Sequence, residues 1–125
     1  MTARNKRRMV REDRARLSDA YPGIFVPEGG KQLKRPLKVG IDKDIQARGG
    51  VIGVSGHPIS HWRVKGALAD YTFGRRYLDA LAGGGMRIDL DGNEVEAVTD
   101  NVRDAAHLKI AELDAAIAAK QERAA

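Results

Sequence analysis

The stretch "MRIDLDGNEVEAV", residues 86–98, constrains the fold of this chain more tightly than any other. Asp91-Gly92 is a two-residue hairpin signal, because a type I′ turn needs positive φ at both central positions and these residue types tolerate it. Apolar and polar residues alternate on either side, the period of a strand with one covered face. A two-residue loop would pair Ile88 with Val95 and Met86 with Ala97 on one face, and Arg87 with Glu96 on the other.

The remaining segments read mainly as helices punctuated by glycine and proline. Residues 2–20 favour helix, with Val10, Leu17 and Tyr21 near one face, and Tyr21-Pro22-Gly23 ends it. In "PLKVGI" Leu37, Val39 and Ile41 alternate with Lys38 and Gly40, which suits a short strand, although a helix starting at Pro36 fits nearly as well. Residues 41–48 read as a short helix closed by Gly49-Gly50. The glycine-rich "GGVIGVSGHPIS" is a connection, and it is not a phosphate-cradling P-loop because no Gly-Lys-Ser/Thr follows. A helix is expected over 59–69 with Pro58 near its first turn and with Val64, Leu68 and Tyr71 at one-turn spacings. Another starts after Gly74, turns Tyr77, Leu78 and Leu81 inward and stops at Gly83. Thr99 or Asp100 caps a last helix carrying the stripe Val102, Ala106, Ile110, Leu113, Ile117. The expected class is α+β and mainly α-helical.

At 125 residues there is room for one domain with its own core. The chain has no cysteine, which removes disulfides and cysteine-bound zinc and makes a reducing compartment, the cytoplasm, the simplest expectation. No apolar run approaches the ~20 residues that span a bilayer, and no apolar segment follows the basic N-terminus to make a secretory signal. Charge is unevenly placed. Residues 1–38 hold 11 Lys/Arg against four acids, a net of +7, whereas residues 39–125 hold 11 against 13, a net of −2. A basic arm on a near-neutral body points to a polyanion, either nucleic acid or an anionic membrane surface.

Nothing resembles a catalytic constellation. His57, His61 and His107 are scattered, and "GVSG" falls one residue short of a nucleophile elbow. His57 and His61 have the spacing of a metal pair, but Pro58 sets His57 ahead of the helix and no nearby carboxylate completes a ligand set. No metal, cofactor or enzymatic activity is expected. The cations are more informative. Lys38 projects opposite the apolar residues of its segment. Arg63 and Lys65 sit early in one helix and Arg75 and Arg76 open the next, where cations oppose the helix dipole. A bound phosphate would relieve both placements, and would give the hydroxyl of a buried Tyr77 a partner. Arg87 faces Glu96 across the hairpin. These residues describe a small basic polyanion-binding domain without choosing between RNA, DNA and lipid.

The order "YPGIF", "RPLKVGI", "ALADYT", "RRYLDAL", "RIDLDG", closed by a polar helix, resembles the ProQ/FinO family of bacterial RNA chaperones over roughly residues 11–115. The resemblance implies a FinO-like domain of about five helices with a small β-hairpin, spanning 11–118 between a basic extension (1–10) and a fraying tail (119–125). It implies binding of structured RNA, such as terminator hairpins with a 3′ uridine tail, on small RNAs and mRNA 3′ ends, by a monomer without cofactor. The RNA contacts it implies are Arg35, Lys38, His61, Arg63, Lys65, Arg76, Tyr77 and Arg87, with Tyr77 and Arg87 near the end of the tail. His61 stands where relatives often carry lysine, the glycine-rich loop before it differs in composition, and the chain resembles a minimal form without the Tudor-like domain of some relatives.

Overall fold

The computed structural model describes residues 2–124. Five helices, α1 (Ala3–Ala20), α2 (Ile41–Ala47), α3 (His61–Thr72), α4 (Arg75–Ala82) and α5 (Asp100–Ala124), surround an antiparallel pair, β1 (Met86–Ile88) and β2 (Glu94–Ala97). Thr2 caps α1, its hydroxyl accepting from the Asn5 N–H at 3.2 Å. The helix runs without a break across position 10, and α5 continues through 119–124. None of the helices among the described residues is long and apolar enough to cross a membrane.

The hairpin forms with a different turn. Among the described residues no non-glycine has positive φ, so Asp91 cannot be in a type I′ conformation. Instead Leu90, Asp91 and Gly92 form a three-residue loop. The Asp89 N–H donates to the Asn93 carbonyl, the Gly92 N–H to the Asp89 carbonyl, and Gly92 supplies the left-handed residue (φ 82°). Asp89 Oδ1 organises the loop by accepting from the N–H groups of Asp91 and Asn93, both at 2.9 Å. Met86–Ala97 and Arg87–Glu96 pair as expected, but the register then slips and Ile88 pairs with Glu94. The slip leaves Ile88 and Leu90 both in the core and turns Val95 out, 42% exposed.

"PLKVGI" is neither a full strand nor a helix. Leu37 makes one parallel bridge to Ile88, with the Lys38 N–H donating to the Ile88 carbonyl (2.8 Å) and the Ile88 N–H to the Pro36 carbonyl (2.9 Å). Gly40 then takes φ 81° and caps α2, which returns Ile41 to the core and leaves Val39 outside. The alternation ends at Lys38 because this glycine reverses the chain. The next helix, α3, begins two residues later than expected, since Pro58 is bridged to Ile52 and the Ile59 N–H donates to the Val51 carbonyl.

Leu17, Phe25, Ile45, Ile88 and Tyr71 are almost wholly buried, and each contributes roughly 1.5–3 kcal/mol. A row of edge-on aromatic contacts runs through the core: Tyr21–Phe25, Phe25–Tyr71 and Tyr71–Tyr77, with ring centres 6.3, 5.3 and 6.5 Å apart. Both inner tyrosines tie a loop to the helices by their hydroxyls. Tyr71 Oη accepts from the Val26 N–H and Tyr77 Oη from the Leu37 N–H, each at 3.0 Å. The partner expected from a phosphate is therefore a backbone amide. Along α5, Ala106 is buried, but the stripe is uncovered by Ile117, which is 54% exposed.

Candidate functional site

Leu37, whose backbone is clamped on both sides, is the hub of an open cleft. Its N–H donates to Tyr77 Oη, and its carbonyl accepts from Arg87 Nη1 at 2.9 Å. Segment 37–41, α3 through Lys65, Leu68, Ala69 and Thr72, α4 through Tyr77, and β1 through Arg87 line a cleft of about 330 Å³. The structure thus brings together Lys38, Lys65, Tyr77 and Arg87, which come from four separate parts of the sequence. Because Arg87 uses one donor on Leu37, its remaining N–H groups stay available to an acceptor. Tyr77 Oη accepts from the amide and keeps its own proton to donate.

Lys38 Nζ is ion-paired with Asp44 Oδ2 at 2.8 Å, at a position about one-third exposed. This hydrogen bond holds the ammonium above the usual lysine range, so it stays charged at neutral pH. The Val39 N–H donates to Glu96 Oε1 at 2.9 Å, so Glu96 reaches across to the lip of the cleft although its backbone pairs with Arg87. His61 lines a neighbouring recess of about 270 Å³ with Ile45, Gly50 and Val64. Its Nε2 lies 3.2 Å from Asp42 Oδ2, a carboxylate close in space though not in sequence, and joins the starts of α2 and α3. Among the described residues no group of three or more His, Asp or Glu side chains could hold a metal ion.

Arg63, Arg76 and Arg35 lie elsewhere. Arg63 grips Asp13 of α1 with two bonds, Nη2 to Oδ1 at 2.6 Å and Nε to Oδ2 at 2.9 Å. Asp13 is 2% exposed, and the pair fastens α1 to α3. Arg76 donates to the Gln32 carbonyl and flanks Leu33 and Lys34, and Arg35 is exposed on the same loop. Arg75, which opposed the dipole of α4, is answered by Asp79 at 3.0 Å and Asp114 at 2.6 Å. The fold itself therefore relieves the placements of Arg63 and Arg75 that suggested a bound phosphate, and leaves Lys65 exposed.

Sequence reasoning missed the cations around Tyr71. Lys34 Nζ donates to the Tyr71 carbonyl at 2.6 Å and stands 4.1 Å from its ring centre, while the Arg14 guanidinium lies 5.5 Å from the same centre and bonds Asp70. Burial, reinforced by Arg14 and Arg76, pulls Lys34 down to about 8. A loop lysine has no periodicity that could have marked it. Asp13 did leave a signal, as a single acid between Val10 and Leu17 on the apolar stripe of a basic helix.

A helical domain that clamps a short hairpin and opens a lysine- and arginine-bearing cleft beside it is built to display cations on a rigid frame. The ProQ/FINO family model matches residues 8–123, and the chain belongs to that family. The RNA chaperone ProQ of Idiomarina loihiensis is 33% identical over 108 residues, which cover 86% of this chain and 49% of that protein. The RNA chaperone ProQ of Aeromonas salmonicida is 36% identical over 86 residues, 69% of this chain and 38% of that one. The chain spans about half the length, or less, of these curated relatives. The solution structure of a ProQ homologue from Legionella pneumophila superposes with a TM-score of 0.61 at 27% identity, covering 82% of this chain and 81% of that one. A FinO-like RNA chaperone from Neisseria meningitidis, 24% identical, shares the fold with the same TM-score over 90% of this chain and 85% of its own.

Proposed function

We propose that this protein is a cytoplasmic RNA chaperone that binds structured RNA as a monomer, its ligands being hairpins with a single-stranded 3′ uridine tail on small RNAs and mRNA 3′ ends. The observation that carries this reading is the cleft: Lys38, Lys65, Tyr77 and Arg87 converge on it from four elements. Family membership and the RNA chaperones among the relatives support the same ligand class. A-form stems are recognised by shape and backbone, which suits fixed cations, and an unpaired tail can enter a cleft that a duplex cannot. In this reading Arg87 and the Tyr77 hydroxyl meet the tail, and Lys38 and Lys65 meet phosphates. Arg35, His61 and Arg76 extend the contact outside the cleft, and Arg63 holds α3 from behind. No step of this activity requires a cofactor or bond-making chemistry.

The test is a mobility-shift comparison at one moderate salt concentration. Its probes are a terminator hairpin with its uridine tail, the same hairpin without it, and duplex DNA of equal length. Preference for the tailed hairpin is the expected result. Equal, weak binding to all three would reduce the surface to a generic basic patch, and preference for DNA would make the protein a DNA binder.

A further inference from the structure

Trp62 is the only tryptophan of the chain, and it stands 62% exposed on the first turn of α3. Tryptophan is usually well buried, so an indole in solvent calls for a reason. At 3.6 residues per turn Trp62, Lys65, Gly66 and Ala69 share one face of α3. Lys65 and Ala69 of that face line the cleft, so the indole stands beside its wall. The flank of the helix with Arg63 and Asp70 is tied to α1, and the side away from the indole, with Val64, Ala67, Leu68 and Tyr71, is buried in the core.

Gly66 supplies a second, independent observation. A Cβ built on it would meet no atom within 4 Å, and its φ is not positive. Neither packing nor backbone conformation requires glycine there, although glycine is a poor helix former compared with alanine. One turn from the indole, its missing side chain leaves an open shelf. An aromatic face, an open shelf and an exposed ammonium at i+3 suit a nucleobase with its phosphate.

Building on the RNA-binding reading above, we propose that Trp62, Gly66 and Lys65 form a base-stacking platform that holds an unpaired nucleobase of the bound RNA just outside the cleft. The base stacks on the indole with its edge over Gly66, and Lys65 meets the adjoining phosphate. Stacking tolerates any base, so the platform adds affinity for single-stranded tail without selecting its sequence.

The lone tryptophan makes the test direct. Emission of the full chain is followed as a tailed hairpin RNA is added, and again with a hairpin whose tail keeps its phosphates but lacks its bases. The expected result is quenching by the first probe and little by the second. Trp62→Ala should weaken binding of the tailed hairpin by about 5- to 150-fold, the range of one base stack, while Trp62→Phe keeps most of the affinity. Gly66→Leu should raise the melting temperature and still weaken binding, a combination that a purely structural role does not produce. Equal quenching by both probes, or a Trp62→Ala affinity within about twofold of the parent, would overturn the platform while leaving the RNA reading intact. Emission that shifts with protein concentration and ignores RNA would make this face a contact between protein chains, and also overturn it. If the tailed hairpin fails to bind in the mobility shift, the RNA reading fails and the platform with it.

Discussion

Arg63 and Lys65 lie two residues apart on one helix, and their surroundings could hardly differ more. Arg63 points at α1 and is held by both oxygens of an acid that is 2% exposed; Lys65 is exposed and lines the cleft. A separation of two residues carries a side chain roughly halfway around a helix. One face of α3 therefore holds the fold together while the other meets ligand. Charge type and position along the helix do not distinguish the two cations. The buried partner does.

The strongest way to break that contrast is Arg63→Ala. It strands a buried carboxylate, and the loss should be about 2–3 kcal/mol, below the full cost of breaking a buried pair because Arg63 is itself partly exposed. A denaturant midpoint measures it, and restoration by the added change Asp13→Asn would assign the loss to the orphaned charge. Unchanged stability in Arg63→Ala would mean that α1 does not depend on this pair.

Tyr77→Phe comes next in size. The Leu37 N–H is buried and donates to the Tyr77 hydroxyl, so removing that acceptor should cost about 1–2 kcal/mol of stability. Binding of a tailed hairpin should fall as well, because the same residue carries the carbonyl that holds Arg87. A variant that loses affinity with no change in melting temperature would show that the hydroxyl acts on RNA alone.

These two residues also show where the sequence was legible. The helices were, because glycine and proline mark their ends and Val64, Leu68 and Tyr71 recur at helical spacing. The existence of the hairpin was legible too, and so were its pairs Met86–Ala97 and Arg87–Glu96. Its turn was not, because Asp91-Gly92 serves a three-residue loop as well as a two-residue one, and burial of Leu90 decided between them. Val39 was assigned inward on alternation that a left-handed Gly40 interrupts. At the site, family motifs named four residues that line the cleft, Lys38, Lys65, Tyr77 and Arg87, together with four that lie outside it, Arg35, His61, Arg63 and Arg76, and the ion pairs could not be read. Asp13 and Arg63 lie 50 positions apart, and only packing of α1 on α3 brings them together.

On the cleft side the expected effect is smaller and of a different kind. Lys65→Ala should leave the melting temperature nearly unchanged, because nothing buried depends on the ammonium. It should weaken RNA binding several-fold and flatten the slope of log affinity against log salt by about 0.7–0.9, the change for one phosphate contact. Titration at three salt concentrations decides it, and an unaltered slope would remove Lys65 from the interface.

The smallest effect separates two lysines four positions apart. Asp44 holds Lys38 above the usual lysine range, whereas burial beside Arg14 and Arg76 brings Lys34 down to about 8. In the unfolded chain Lys34 returns to 10.5. Below pH 8 both states carry its proton; between about 8 and 10.5 only the unfolded chain does. Stability should therefore rise with pH across that window, as linkage requires whenever the unfolded state binds more protons. Lys34 is only partly buried, and solvent screening keeps the gain below about 1 kcal/mol. Denaturant midpoints at pH 7 and 9.5 for the parent and Lys34→Met isolate this contribution, since every other titrating group is common to both. The parent should gain relative to the variant as pH rises, and parallel behaviour would mean that Lys34 keeps its proton through its bond to the Tyr71 carbonyl. Lys38→Met should show no such relative gain, because its ammonium stays charged in both states through most of the window.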